Sequence, residues 1–186
     1  MLIAVTRPVS PTLADCELTH LAREPLDVAR AVEQHAAYEK LLCSLGATLV
    51  RAPAAPDYPD AVFIEDTAVV LDEAAVITRP GAASRQGETG AVAALLAEYR
   101  TVLTLEPPAT LDGGDVLLVG WTIYVGRSGR TNDAGIAQLD RLVAPFGYHV
   151  VPVEFGGCLH LKSAVTAVAD RTLLVNPAWV SADAFP

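Results

Sequence analysis

A unit of apolar strand, arginine, loop, helix and strand returns at a fixed interval along this chain, and that period constrains the fold more than any other feature. Arg79 and Arg127, each just past the second strand of a predicted hairpin, stand 48 residues apart. In the first complete unit, AVFI from Ala61 reads as a strand, Glu65-Asp66 as an acidic break, TAVVL as more strand, and Asp72-Glu73 as the turn into AAVIT. A loop through Ser84-Arg85 follows, then a helix with Val92, Leu95, Leu96 and Tyr99 apolar, then the strand TVLTL. The order is ββαβ. It recurs as LDGGDVLLV, a turn at Gly120-Trp121, TIYV, a loop through Arg130, a helix capped by Thr131 with Ile136, Leu139, Leu142, Val143 and Phe146 apolar, and YHVVPV after Gly147.

A third copy begins with HLKSAVTAVA, a turn at Asp170-Arg171 and TLLVN, and reaches Pro186 without a helix or a last strand. At the other end, LIAVTRP matches VITRP and leads through a long loop to a helix starting near Pro25. That helix carries Ala31, His35, Tyr38, Leu42 and Leu45 on one stripe, stops at Gly46 and enters the strand ATLVR, so this unit lacks only its first strand. Units of this length bury their apolar faces against their neighbours in solenoids and propellers. A unit beginning at its second strand suggests ring closure, and the expectation is an incomplete α/β ring in a single domain, 1–186, lacking its C-terminal portion. The alternative is an open sheet of unrelated βαβ-like segments.

Composition narrows the function. At 52% hydrophobic residues the chain is a folded globular protein by default. Its net charge of −9 argues against nucleic acid, which selects clustered Lys and Arg. Cys16, Cys43 and Cys158 form no CxxC pair and no metal-ligand spacing, as suits reduced thiols. The N-terminal apolar run is too short for a signal peptide, and no stretch approaches a membrane span. A soluble, cytoplasmic protein acting on a small molecule, with no membrane partner, is expected.

Four polar clusters fall at comparable places in the repeat, where a ring would point them at a common centre. In PDAVFIEDTAVV, Asp60, Glu65 and Asp66 interrupt an apolar strand at a desolvation cost unless paired or facing a cation. As strand neighbours, Glu65 and Asp66 point to opposite faces; a turn with a buried salt bridge is the structural alternative. In LDGGDVLLV, two glycines between Asp112 and Asp115 permit a tight bend and close approach of backbone to a ligand, although a plain β-bulge explains DGGD on its own. The basic loops GAASR and GRSGRTN bring Arg85 and Arg130 to matching positions, suited to clamp a carboxylate from two sides; solvated arginines are the ordinary alternative. In CLHLKS, His160 and Lys162 share one strand face. His160 occupies the repeat position that carries acids in the two preceding units.

These motifs, in this order and together with the EQHAAY helix, resemble the dimethylarginine dimethylaminohydrolase family over nearly the whole chain. The resemblance implies a pentein-type propeller of five ββαβ units, here incomplete, and hydrolysis of Nω-methylated arginine to citrulline and a methylamine, without metal or organic cofactor. It implies His160 as general acid and then base, Asp66 and Asp112 as holders of the guanidinium, and Arg85 and Arg130 as ligands of the α-carboxylate. Asp60 and Glu65 would line the pocket, Asp60 near the amino group, and Leu18 would be the lid leucine. A homodimer is compatible with the resemblance. The family's nucleophile is a cysteine close to the C-terminus, a position none of the three cysteines occupies, so the 186-residue chain is expected to be inactive by itself. Cys158, two residues from His160, is either a displaced nucleophile or, more simply, a small buried cysteine. A non-catalytic remnant that binds arginine derivatives, an arginine or agmatine deiminase, and an amidinotransferase are the competing readings.

Overall fold

The computed structural model of the chain describes residues 2–170 and 172–186. Along the chain run β1 (Ile3–Thr6), α1 (Val28–Ser44), β2 (Thr48–Arg51), β3 (Ala68–Val70), β4 (Ala74–Ile77), α2 (Thr89–Leu96), β5 (Thr101–Thr104), β6 (Val116–Val119), β7 (Thr122–Arg127), α3 (Asp133–Val143), β8 (His149–Glu154), α4 (Leu161–Ala164), β9 (Val165–Ala169) and β10 (Thr172–Val175).

These strands form four separate small sheets, and their pairing reproduces the repeat. In the sheets β3-β4-β5 and β6-β7-β8, an antiparallel hairpin is followed by a helical crossover to a parallel third strand. β1 and β2 pair in parallel across α1, as β4-β5 and β7-β8 do, while β9 and β10 pair antiparallel like the two hairpins. The first unit therefore begins at its second strand, and the last described one is a hairpin.

The core lies between the units. Val76, Leu111, Ile123, Val125, Leu139 and Val143 are buried in one cluster joining the two complete units through α3. Leu117, Tyr124, Val153, Leu161 and Val165 join the second unit to the third, and Ile77, Val92 and Leu96 seat α2 on its own sheet. Among the described residues no helix is long and apolar enough to cross a membrane.

Several local expectations fail for identifiable reasons. Ala61 to Phe63 is not a strand: the chain turns there and enters a 3-10 turn, Ile64–Thr67, before β3. The turn aims the carbonyls of Asp60 and Phe63 at the buried Arg85 guanidinium, which a strand could not do. CLHLKS is also not a strand. His160 caps the single-turn α4, whose first amide, Leu161 N, is drawn to Asp115, so the alternating faces read for His160 and Lys162 do not exist. Asn132, not Thr131, caps α3, its side chain accepting from Gly135 N. Helix α1 begins at Val28 behind an Asp27 cap. Of the predicted turn at Asp170-Arg171, Arg171 lies outside the described residues.

The stripe on α1 is displaced as well. Tyr38 and Leu45 are exposed, and the buried position is Glu39. Its carboxylate accepts Thr6 Oγ1 of β1 at 2.7 Å and Arg51 Nη2 of β2 at 2.7 Å, tying both strands of the unit to their helix. The hydrogen bonds from Arg51 overcome burial and hold its pKa down at about 2. Stability from such a carboxylate is present above its unfolded pKa and is lost as pH falls through the folded one. Glu39→Gln should cost about 1–3 kcal/mol in urea unfolding at neutral pH, the loss of a buried charge-assisted set; an unchanged midpoint would show that the apolar packing alone seats α1.

Candidate active site

The four clusters do converge. Asp66, buried at the end of the first acidic turn, accepts Gly114 N at 2.9 Å on Oδ1 and Arg85 Nη1 at 2.6 Å on Oδ2. Asp112, fully buried just before the Gly113–Asp115 turn, accepts Gly81 N at 2.9 Å on Oδ1. Its Oδ2 lies 3.2 Å from His160 Nε2, and the same ring nitrogen is 3.9 Å from Asp66 Oδ1. Gly114 with Asp66, and His160 with Asp112, are each 48 residues apart in sequence. Successive units thus present equivalent positions to one centre, as the period requires.

Glycine is needed where these units touch. A Cβ on Gly114 would stand 2.5 Å from His160 Nδ1 and 2.8 Å from Asp66 Oδ1, and one on Gly81 would collide with the Arg130 backbone. At DGGD the close approach is thus of the Gly114 backbone to the His160 ring and the Asp66 carboxylate.

Burial disfavours the His160 imidazolium. The hydrogen bond to Asp112 and the charges of Asp66, Asp115 and Asp112 outweigh it, so His160 keeps its proton to higher pH than an ordinary histidine. A histidine shifted upward stabilises the fold fully below its unfolded pKa and loses that contribution as pH rises through the folded one. The stability advantage of the wild-type chain over His160→Gln should accordingly shrink as pH is raised through the His160 titration, as followed by urea unfolding at a series of pH values; an advantage that grew would contradict the pairing.

The two arginines are not equivalent, contrary to the matched clamp expected from their positions. Arg85 is 3% exposed and gives Nε and Nη2 to Glu88, Nη1 to Asp66, and Nη2 also to the Asp60 and Phe63 carbonyls. Glu88, three residues on in the same turn, is the reason: an acid there captures the guanidinium. Burial opposes the Arg85 charge, but Glu88 and Asp66 more than compensate and raise its pKa. Arg130 is less committed. Its Nη2 donates to Thr19 Oγ1 at 3.1 Å, and Nη1 only approaches Asp112 Oδ2, at 3.8 Å.

The long loop before α1 lies across these groups. Glu17 N donates to both Asp60 oxygens, at 3.2 and 3.0 Å, its carboxylate accepts Ser84 Oγ, and Thr19 receives Arg130. Leu18 sits between these two anchors, 38% exposed. Burial raises the Asp60 pKa despite the Glu17 amide. Glu65 is not drawn into the cluster: its side chain is 67% exposed and pairs with Lys162 at the rim. Glu17, Thr19, Glu88, Ser128 and Thr131 were not legible as site residues, because each is defined by a partner far away in sequence or by one polar residue among many in a loop.

Asp66, Asp112 and His160 bring ligand atoms within 4.8 Å of one another, a donor set that could hold a metal ion. Both carboxylates already receive backbone amides, and two guanidinium groups stand against them, a charge pattern that leaves little call for a dication. Cys158 is half-buried with Sγ donating to the His160 carbonyl, and burial together with the charge of Asp115 raises its pKa, the opposite of an activated thiolate. Cys16 is buried and Cys43 is exposed on α1.

Comparison with known proteins agrees with this architecture. A mutant of the Pseudomonas aeruginosa dimethylarginine dimethylaminohydrolase complexed with citrulline superimposes with a TM-score of 0.88 at 32% identity, over 94% of this chain and 70% of that one. The fold is thus of the α/β pentein class. The family model for N,N dimethylarginine dimethylhydrolase, eukaryotic, matches residues 21–184. The N(G),N(G)-dimethylarginine dimethylaminohydrolase of Streptomyces coelicolor is 48% identical over 172 residues, 92% of this chain and 67% of that protein. That of Pseudomonas aeruginosa is 34% identical over 169 residues, 90% of this chain and 66% of that protein. The chain belongs to the dimethylarginine dimethylaminohydrolase family, and it spans about two thirds of the length of these relatives.

Proposed function

We propose that this chain carries the guanidinium-handling part of a hydrolase that converts Nω-methylated arginine to citrulline and a methylamine. The observation behind this reading is the convergence of two buried carboxylates, Asp66 and Asp112, on His160, with Arg130 beside them. A planar delocalised cation is the ligand such a pair suits, because charge-assisted hydrogen bonds fix its plane as well as its charge. Asp66 and Asp112 hold the guanidinium, and Asp60 faces the substrate's amino group. Arg130, with the charge of Arg85 behind it, binds the α-carboxylate. Glu65 lines the rim and Leu18 covers the entrance.

In the covalent route of this family, a cysteine thiolate adds to the guanidinium carbon. Its bond to the methylated nitrogen breaks as His160 delivers a proton, releasing the methylamine and leaving a thiouronium. His160 then takes a proton from water, whose oxygen attacks the same carbon; the C–S bond breaks and the remaining hydroxyl proton passes to the released amine, giving citrulline and the thiolate. An upward-shifted histidine suits the first proton transfer, since it holds its proton to higher pH than an ordinary imidazole. The Cys158 thiol is pushed up by burial and by Asp115 rather than activated, and none of the three cysteines occupies the position of the family's nucleophile, so on its own residues the chain should bind without turning over.

Calorimetric titration with NG,NG-dimethyl-L-arginine and with agmatine, which lacks the carboxylate, tests the assignment. Arg130→Ala should weaken dimethylarginine binding about tenfold or more and leave agmatine unaffected. Equal loss for both ligands would remove Arg130 from the carboxylate site.

A further inference from the structure

The family resemblance gives Asp115, a buried acid, no role. Asp115 closes the DGGD turn and is 0% exposed, and its own amide donates to the Asp112 carbonyl at 3.0 Å. Its Oδ2 accepts the hydroxyls of Ser128 at 2.6 Å and Thr131 at 2.7 Å, and its Oδ1 accepts Leu161 N at 3.0 Å. Ser128 and Thr131 flank Arg130 in one loop, and Leu161 follows His160.

Ser128 Oγ, its proton committed to Asp115, accepts the amides of Arg130 at 3.0 Å and Thr131 at 3.1 Å, which shapes the tight loop from which Arg130 projects. Thr131 Oγ1, its proton likewise committed, accepts the amide of Asp112 at 3.2 Å. Leu161 directly follows His160, so its amide fixes the backbone from which the imidazole reaches Asp112. The amides of Arg130, Thr131 and Asp112 donate to the two hydroxyls, and both hydroxyls donate in turn to Asp115. A carboxylate accepts three donors at once; an amide side chain of the same size offers one acceptor and puts a donor where the other oxygen stood.

We infer that Asp115 is a positioning residue, a single buried carboxylate from which His160, Arg130 and Asp112 are hung in one fixed relation. The inference rests on the reading that those three residues bind and transform the substrate. Holding them from one point couples the proton donor to the carboxylate anchor, so the guanidinium carbon and the imidazole meet at a set distance. Displacements of about an ångström at such sites cost on the order of a hundredfold in rate. The charge of Asp115 also acts on His160 directly, as one of the groups favouring its protonated form.

The test uses the full 186-residue chain and two readouts, NMR titration of the His160 ring and calorimetric affinity for NG,NG-dimethyl-L-arginine and agmatine, with thermal unfolding to verify the fold of each variant. D115N should lower the His160 titration midpoint toward that of an ordinary histidine and weaken dimethylarginine about tenfold or more. S128A should weaken dimethylarginine while agmatine and the His160 titration stay as in the wild type. T131V should weaken both ligands and T131S should restore them. A folded D115N with the wild-type titration and affinity would overturn the inference, as would an S128A that weakened both ligands alike. Should D115N fail to fold, S128A and the T131V and T131S pair decide the matter. If the wild-type chain binds neither ligand, the reading of the site fails, whereas the His160 midpoint in D115N still tests the positioning role.

Discussion

Asp66→Asn should abolish measurable binding of a methylated arginine and destabilise the fold by about 3 kcal/mol, the larger of the two being the effect on binding. Both oxygens of Asp66 are occupied, one by Gly114 N and the other by Arg85 Nη1. An asparagine offers one acceptor and one donor, so either the glycine amide or the buried guanidinium would face a donor. Glu88 still compensates part of the Arg85 charge, which keeps the cost at the low end of what a broken buried pair exacts. The carboxylate that would meet the substrate cation is lost outright. Urea unfolding and calorimetry read the two effects separately. A variant with wild-type affinity would mean that the cation is held elsewhere.

Gly114→Ala is the second large effect. Its methyl group would stand 2.5 Å from His160 Nδ1 and 2.7 Å from His160 Cγ, inside any tolerable contact, so the ring must leave Asp112 or the turn must open. Binding should fall about a hundredfold, and the His160 titration should move down toward the ordinary value as the pairing with Asp112 is broken. Gly90→Ala is the natural control. A Cβ there meets nothing within 4 Å on α2, and it should leave binding alone while adding up to about 1 kcal/mol from helix propensity. If both alanines behaved alike, the close approach of Gly114 to His160 would have no functional weight.

The architecture was largely legible in the sequence because periodicity is a local property summed over many residues. The hairpins and parallel crossovers of the two complete units follow the 48-residue interval, and the hairpin at Val165 follows it to within two residues, whereas the partial unit at Ile3 was legible from the likeness of LIAVTRP to VITRP. What failed were segments where a few polar contacts overrule an apolar pattern. Ala61 to Phe63 has strand composition but turns to place two carbonyls on Arg85, and His160 sits on a bend because Asp115 captures the next amide. On α1 the regular stripe suggested Tyr38, one residue away from the buried Glu39, since nothing local reveals that Thr6 and Arg51 will meet that acid. For the site, residue type and repeat position marked the clusters around Asp66, Asp112 and His160, the family resemblance singled out those three, and the fold brings them together. The same reasoning made Arg85 and Arg130 a pair, and it could not see that Glu88 would claim one of them.

The central claim, that the Asp66, Asp112 and His160 cluster holds a guanidinium, is tested most directly by titrating the chain with NG,NG-dimethyl-L-arginine while following the His160 ring resonances. Saturable shifts of His160 that track the calorimetric isotherm and vanish in Asp66→Asn are the predicted result. No binding, or binding that leaves the His160 resonances where they were, would contradict it.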